Sequence, residues 1–149
     1  KRCGIQSAQD RYLKQKLRLK DGEVEVSSCF VGTIHTVVWV NRLEDIDLVS
    51  LGQEISSHPI YSEKTNVNFV QVIGRNTLRL ATFERGAGMT LACGTGACAS
   101  VVIGAAEDRC DMEVQVLLPY GQLQIKQAED HTVFLTGPAV RIAQGFYGE

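Results

Sequence analysis

The sequence predicts an α+β fold: a mixed, mostly antiparallel sheet rolled around one central helix. Three observations carry this prediction. Short runs of alternating apolar and polar residues, separated by turn residues, recur along the chain and read as strands. One segment, Gly96 to Ala106 (GACASVVIGAA), is small or apolar on every side, and a helix of that kind is buried all round. The 149 residues show no internal repeat and no low-complexity linker, so they read as a single domain.

The elements follow in order. Leu17-Arg18-Leu19-Lys20 and Glu23-Val24-Glu25-Val26 alternate on either side of Asp21-Gly22, a strong hairpin signal. Val37-Val38-Trp39-Val40 is a β-branched and aromatic run that reads as a buried strand. Asp47 is placed to cap a helix in which Leu48, Leu51 and Ile55 share a face. That helix should end before Pro59, because the residue preceding a proline avoids helical angles. Phe69 to Ile73 and Leu78 to Phe83 read as strands around a Gly74-Arg75-Asn76 turn. Val114, Val116 and Leu118 alternate up to Pro119. Leu123 and Ile125 alternate after the Pro119-Tyr120-Gly121 turn, and Val133 and Leu135 after Glu129-Asp130. The result is a string of short antiparallel strands. For residues 96–106 a buried strand competes, since Val101-Val102-Ile103 is β-branched. Length and alanine content favour a helix, roughly 15 Å long.

The bulk numbers exclude several classes. Hydrophobic residues make up 44% of the chain, enough for a packed core. A net charge of −2 with both signs interspersed lacks the basic footprint of a nucleic-acid binder. No apolar stretch approaches the roughly 20 residues that span a bilayer, and no signal peptide is visible. The chain opens Lys1-Arg2-Cys3 without an initiator methionine and reads as a fragment, so a missing leader carries no weight. The five cysteines (Cys3, Cys29, Cys93, Cys98, Cys110) are odd in number and contain no C-x-x-C pair. That spacing argues against zinc and thioredoxin-like sites, and no metal is assigned. Thiols in a domain this large and apolar read as reduced, and the compartment as cytoplasmic.

Residues 84–98 read ERGAGMTLACGTGAC. If Cys93 directly precedes the buried helix, Gly94, Thr95 and Gly96 occupy its first turn, where backbone N–H groups have no intrahelical partner. Those donors and the positive helix end favour an anion. The same field favours a thiolate, and the glycines permit close approach of a ligand. Taken alone, each residue also has a plainer reading. A cysteine before a glycine turn is often a small buried hydrophobe. Glu84 and Arg85 read as solvated loop charges, Asn66 as a turn residue, and His35 as a satisfied core histidine.

The segment NVNFVQV…ERGAGMTLACGTGACA (Asn66 to Ala99) resembles the signature of the diaminopimelate epimerase family. The later LPYGQLQI and FLTGPA are similar to the end of that family, and FVGTIHTVVWV (Phe30 to Val40) to its Gly-Asn-Pro-His segment. The resemblance runs from about residue 17 onward and covers the C-terminal half of a typical member. Residues 1–16 then read as a linker or a remnant of the preceding half.

The resemblance implies two pseudo-symmetric halves, each a mixed sheet rolled around a central helix. It implies inversion of an amino-acid α-carbon without a cofactor, one cysteine from each half acting on opposite faces. Cys93 matches the catalytic cysteine of the C-terminal half. Gly94 and Thr95 match donors to the substrate α-carboxylate. Glu84 and His35 match polar residues that assist the thiols and orient the substrate. Arg85 and Asn66 match residues that hold its distal end, and the arginine fork suits a carboxylate. The implied partners are a small-molecule amino acid and an N-terminal half carrying the second cysteine. A homodimer is left open.

Three departures stand out. Thr33-Ile34 replaces Asn-Pro before the histidine, so a short hydroxyl stands where an amide is expected. Met89 replaces a glutamate after ERGAG, and no second Cys-Gly-x-Gly turn occurs. The preferred reading is one domain of a diaminopimelate epimerase, inactive alone. The alternatives are a divergent racemase of another amino acid, or a non-catalytic binding or scaffold domain.

Overall fold

A computed structural model describes Ile5 and residues 12–148. The strands are β1 (Tyr12–Leu19), β2 (Gly22–Val31), β3 (Thr33–Val40), β4 (Asn66–Gly74), β5 (Thr77–Glu84), β6 (Gly88–Thr90), β7 (Glu113–Leu118), β8 (Gly121–Gln127) and β9 (Val133–Thr136). The helices are α1 (Leu48–Ser56) and α2 (Gly94–Ala106), with one 3-10 turn at Leu43–Asp45. Within the segment 1–16, residues 12–16 belong to β1, which pairs with β2. Residues 1–4 and 6–11 lie outside the described residues.

Each predicted strand is present, but not all neighbours are antiparallel. The sheet order is β1-β2-β3-β4-β5-β7-β8-β9, with β6 pairing on β5. The β3–β4 and β5–β7 pairs are parallel and the others antiparallel, so the sheet is mixed and mostly antiparallel, as the predicted fold class has it. A parallel pair needs a crossover, and the two helices supply it: α1 between β3 and β4, α2 between β5 and β7. In the first hairpin the turn falls one residue earlier than Asp21-Gly22. Leu19 pairs with Gly22, so Lys20 and Asp21 make the turn, and Gly22 enters β2 at φ 145°.

The helices lie on opposite faces of the sheet. On one face, Leu48, Leu51 and Ile55 of α1 pack with Ile34, Val38, Val67, Phe69 and Phe83. Asp47 caps α1 as expected: its carboxylate accepts from the Ser50 N–H at 3.0 Å and the Ser50 hydroxyl at 2.7 Å. Such a cap contributes about 1 kcal/mol. On the other face, Ala97, Cys98, Val101 and Ile103 of α2 pack with Val37, Val70, Leu78, Leu80, Val114, Val116 and Ile125. Helix α2 touches β2, β3 and β4 near one end of the sheet and β8 and β9 at the other, so the sheet curls around it.

That curl explains the small residues of α2. A Cβ on Gly104 would stand 2.5 Å from Cys110 Sγ and 3.2 Å from the Trp39 ring. Ala97, Ala99 and Ser100 are fully buried, and Ser100 disposes of its hydroxyl on the Gly96 carbonyl one turn back, at 2.7 Å.

A chain of buried hydroxyls on the α1 face fixes the start of β4. Thr65 Oγ1 donates to the Ile34 carbonyl at 3.1 Å and accepts from Thr36 at 2.9 Å. Thr36 in turn accepts from Ser28, and Ser28 from Tyr61. The Ser56 hydroxyl at the end of α1 donates to the Thr65 carbonyl at 2.6 Å. Residue 66 is thereby held in place from β3 and from α1.

Candidate active site

Strand alternation assembles the site. Val37, Val70, Leu78 and Leu80 face α2, while Val38, Phe69, Ala81 and Phe83 face α1. Side chains two apart share a face, so Thr33, His35, Asn66, Asn68, Thr82 and Glu84 all belong to the α2 side. Pairing sets His35 beside Asn66 and Asn68 beside Thr82. The apolar core under α2 thus gives way, at the helix N-terminus, to a polar patch.

Cys93 is the N-cap of α2, with extended angles of φ −135° and ψ 104°. Its carbonyl accepts the first helical bond, from the Ala97 N–H at 3.0 Å. The N–H groups of Gly94, Thr95 and Gly96 therefore have no intrahelical partner. Cys93 Sγ is buried within 3.5 Å of Thr95 Oγ1, and this hydroxyl, rather than Glu84 or His35, is its partner. Gly96 is required by contact: a Cβ there would collide with Asn68 Oδ1 and stand 3.2 Å from Cys93 Sγ.

Glu84 ends β5, and its carboxylate accepts from Thr90 Oγ1 at 2.7 Å. Gly86 and Gly88, at φ 84° and 80°, turn the chain back so that β6 brings Thr90 to that position. Met89 pairs with Phe83, whose side chain packs on the α1 face, so the methionine departure lies on the far side of the sheet. Asn66 is buried and accepts the Arg85 backbone N–H at 2.9 Å. That bond occupies its oxygen and leaves the NH2 as the end able to donate to a ligand. Arg85 Nη1 donates to the Glu63 carbonyl at 2.7 Å, with the Glu63 carboxylate at 4.0 Å.

His35 is fully buried. Burial, with the Arg85 charge as a second cause, pushes its pKa down to about 4, so the imidazole is neutral near pH 7. Nδ1 lies 3.2 Å from Asn68 Nδ2, and Nε2 is buried without a partner. Thr33 Oγ1, two residues earlier on the same face, is also buried and unpaired.

Asn68, Thr82 and Thr90 belong to this constellation and escaped the reading of the sequence. A signal was present. Asn68 follows Asn66 at the spacing of one strand face, and asparagine is depleted in strands, so its recurrence there needs a reason other than packing. Among the described residues, no group of three or more His, Cys, Asp or Glu side chains is placed to hold a metal ion.

The profile of the diaminopimelate epimerase family matches residues 28–142, most of the chain. The chain belongs to the diaminopimelate epimerase family. It is 44% identical over 138 residues to the diaminopimelate epimerase of Nitrosomonas europaea, covering 92% of this chain and 50% of that protein. It is 43% identical over 122 residues to that of Nostoc punctiforme, covering 81% and 44%. The chain thus spans about half the length of the family members it matches. Among solved structures, a probable proline racemase from Agrobacterium radiobacter aligns with a TM-score of 0.59 at 14% identity, covering 78% of this chain and 41% of the other. A hydroxyproline epimerase from Agrobacterium vitis gives 0.59 at 17%, covering 78% and 40%. At such identities the likeness is one of fold alone.

The other described thiols are pushed away from reactivity. Cys29 is raised to about 12 and Cys110 to about 11, in both cases chiefly by burial. Cys98 is also raised, by burial and then by its neighbour Cys93. Brief iodoacetamide treatment at neutral pH is therefore expected to label Cys93 ahead of these three, read by peptide mapping. First labelling at Cys98 or Cys110 would contradict the assignment of the helix-capping thiol as the reactive one.

Proposed function

We propose that this chain is the C-terminal half of a cofactor-independent epimerase that interconverts LL- and meso-diaminopimelate. The observation that carries the reading is Cys93 at the N-cap position of α2, its sulfur within 3.5 Å of the Thr95 hydroxyl in the first turn, whose N–H groups have no intrahelical partner. The substrate α-carboxylate binds Gly94 and Thr95, where the helix end and its donors favour an anion. Charge that develops as the α-proton leaves is stabilised by the same donors. The Cys93 thiolate takes the α-proton, and a thiol on the other half delivers a proton to the opposite face. Cys29, Cys98 and Cys110 are poor candidates for that second thiol, since each packs in or against the apolar core under α2 of this half and not on the opposite face of a bound substrate. Glu84, fixed by Thr90, and His35 flank the reacting centre, while Asn66 and Arg85 hold the distal end. The four described cysteines are unpaired, in keeping with a reducing cytoplasm.

The unpaired hydroxyl of Thr33 favours one second reading, a racemase of an amino acid with a different distal group. Incubation of LL-diaminopimelate in D₂O, followed by mass spectrometry and chiral separation, decides between them. A longer polypeptide containing this chain and a cysteine-bearing N-terminal half is expected to give meso product with one deuterium. This chain alone is expected to give no turnover, because one face of the α-carbon lacks its acid. If the longer protein leaves diaminopimelate untouched and racemises another amino acid, the Thr33 reading replaces the first. If it inverts neither, the domain is a scaffold.

A further inference from the structure

We infer that Asn68 is a positioning residue of this site: it holds His35 as the tautomer protonated at Nε2, making His35 a hydrogen-bond donor to the substrate and not a proton acceptor. The inference rests on the reading of the site proposed above and adds a residue and a direction of proton donation to it. Three neighbours fix the Asn68 amide. Its Nδ2 is 3.3 Å from the Thr36 carbonyl, which can only accept, so the NH2 end lies there. Its Oδ1 accepts the Thr82 hydroxyl at 3.1 Å. Helix α2 presses Gly96 against that same oxygen, closing the space in which the amide could swing.

The NH2 that donates to Thr36 also faces His35 Nδ1 at 3.2 Å. An amide NH2 offers hydrogens only, so Nδ1 must present its lone pair, and the single proton of the neutral ring sits on Nε2. The low pKa of His35 agrees with a ring that stays neutral. That Nε2–H is buried and has no acceptor among the described residues. A buried donor without a partner marks the place of a ligand acceptor. Under the α2 N-terminus the fitting acceptor is an oxygen of an anionic group such as an amino-acid carboxylate. With the Nδ1 lone pair taken by Asn68 and Nε2 protonated, His35 has no free basic site, so it is not the group that takes the α-proton.

Long-range ¹H–¹⁵N correlation spectra of the ¹⁵N-labelled chain at neutral pH read the tautomer directly. Wild type is expected to show one His35 species with Nδ1 unprotonated and Nε2 protonated. In Asn68→Asp, where the side chain can only accept, the proton should move to Nδ1. Asn68→Ala should give a mixture of tautomers. A wild-type His35 protonated at Nδ1, or at both nitrogens, overturns the inference without any variant. A folded Asn68→Asp that keeps the single Nε2–H species overturns it as well. Loss of epimerisation in the longer protein with this tautomer intact would sink the proposed activity and leave the positioning role standing.

Discussion

Cys93→Ser, introduced into a longer polypeptide that epimerises diaminopimelate, is expected to leave a slightly more stable and essentially inactive protein. The N-cap position favours serine, threonine, aspartate and asparagine, because their side-chain oxygens satisfy a first-turn N–H. Here that position holds a cysteine whose side chain makes no capping bond. A serine hydroxyl can make it, for a gain of roughly 0.5–1 kcal/mol in urea or thermal unfolding. The hydroxyl is a far weaker acid than a thiol, so the base that takes the α-proton is lost. Turnover should fall by about 10³-fold or more, since positioned acid–base groups contribute about 10²–10⁴-fold and this one is also the sole base on its face. Opposite movement of stability and rate separates this role from a structural one. Retention of normal turnover in Cys93→Ser or Cys93→Ala would sink the mechanism. A loss of stability in Cys93→Ser would contradict the cap geometry.

A site where the local capping rule is broken is legible in sequence once the helix boundary is known, and here the boundary was readable. The all-apolar run from Gly96 admits no solvated face, and the helix that follows Cys93 is the one that run demands. The strands were legible from alternation, and α1 from Asp47 and Pro59. What alternation cannot give is direction between strands far apart in the chain. The parallel β3–β4 and β5–β7 pairs exist because α1 and α2 each carry the chain back across a face, a tertiary fact. Met89 illustrates the same limit. Next to ERGAG it reads as a site departure, but the Gly86–Gly88 turn pairs it with Phe83 and puts it on the other face. Arg85 and Asn66 were readable as a pair only through resemblance. Their link is a backbone N–H on one side and a side-chain oxygen on the other, for which spacing leaves no mark. Asn68 lay within the quoted motif, and its task becomes visible only when Thr36, Thr82 and His35 converge on it.

Acidification from pH 7.5 to 5 is expected to destabilise the chain by about 2 kcal/mol through His35 alone. The direction follows from the lowered pKa. His35 moves from 6.5 in the unfolded chain to about 4 in the folded one, because burial disfavours the charged ring and the Arg85 charge adds to it. Below pH 6.5 the unfolded chain takes up a proton that the folded chain refuses, so stability falls as pH falls. The loss continues until the folded ring also titrates near pH 4, and above 6.5 the contribution is fully present. Glu44, Asp47 and Asp130 are lowered from 4.5, 3.8 and 3.8, so their contributions are lost at more acid pH. Urea unfolding at half-unit intervals, compared with His35→Gln, isolates the effect. The amide cannot titrate, so the stability gap between the two proteins should close by about 2 kcal/mol across the window. Parallel pH profiles for wild type and His35→Gln would show that His35 titrates alike in both states, and the buried, neutral imidazole on which the site depends would be wrong. An anion bound at the α2 N-terminus and accepting from Nε2–H favours the protonated ring. Saturating substrate should therefore raise the folded pKa and shrink the loss, which ties the acid profile to the site and not to the core in general.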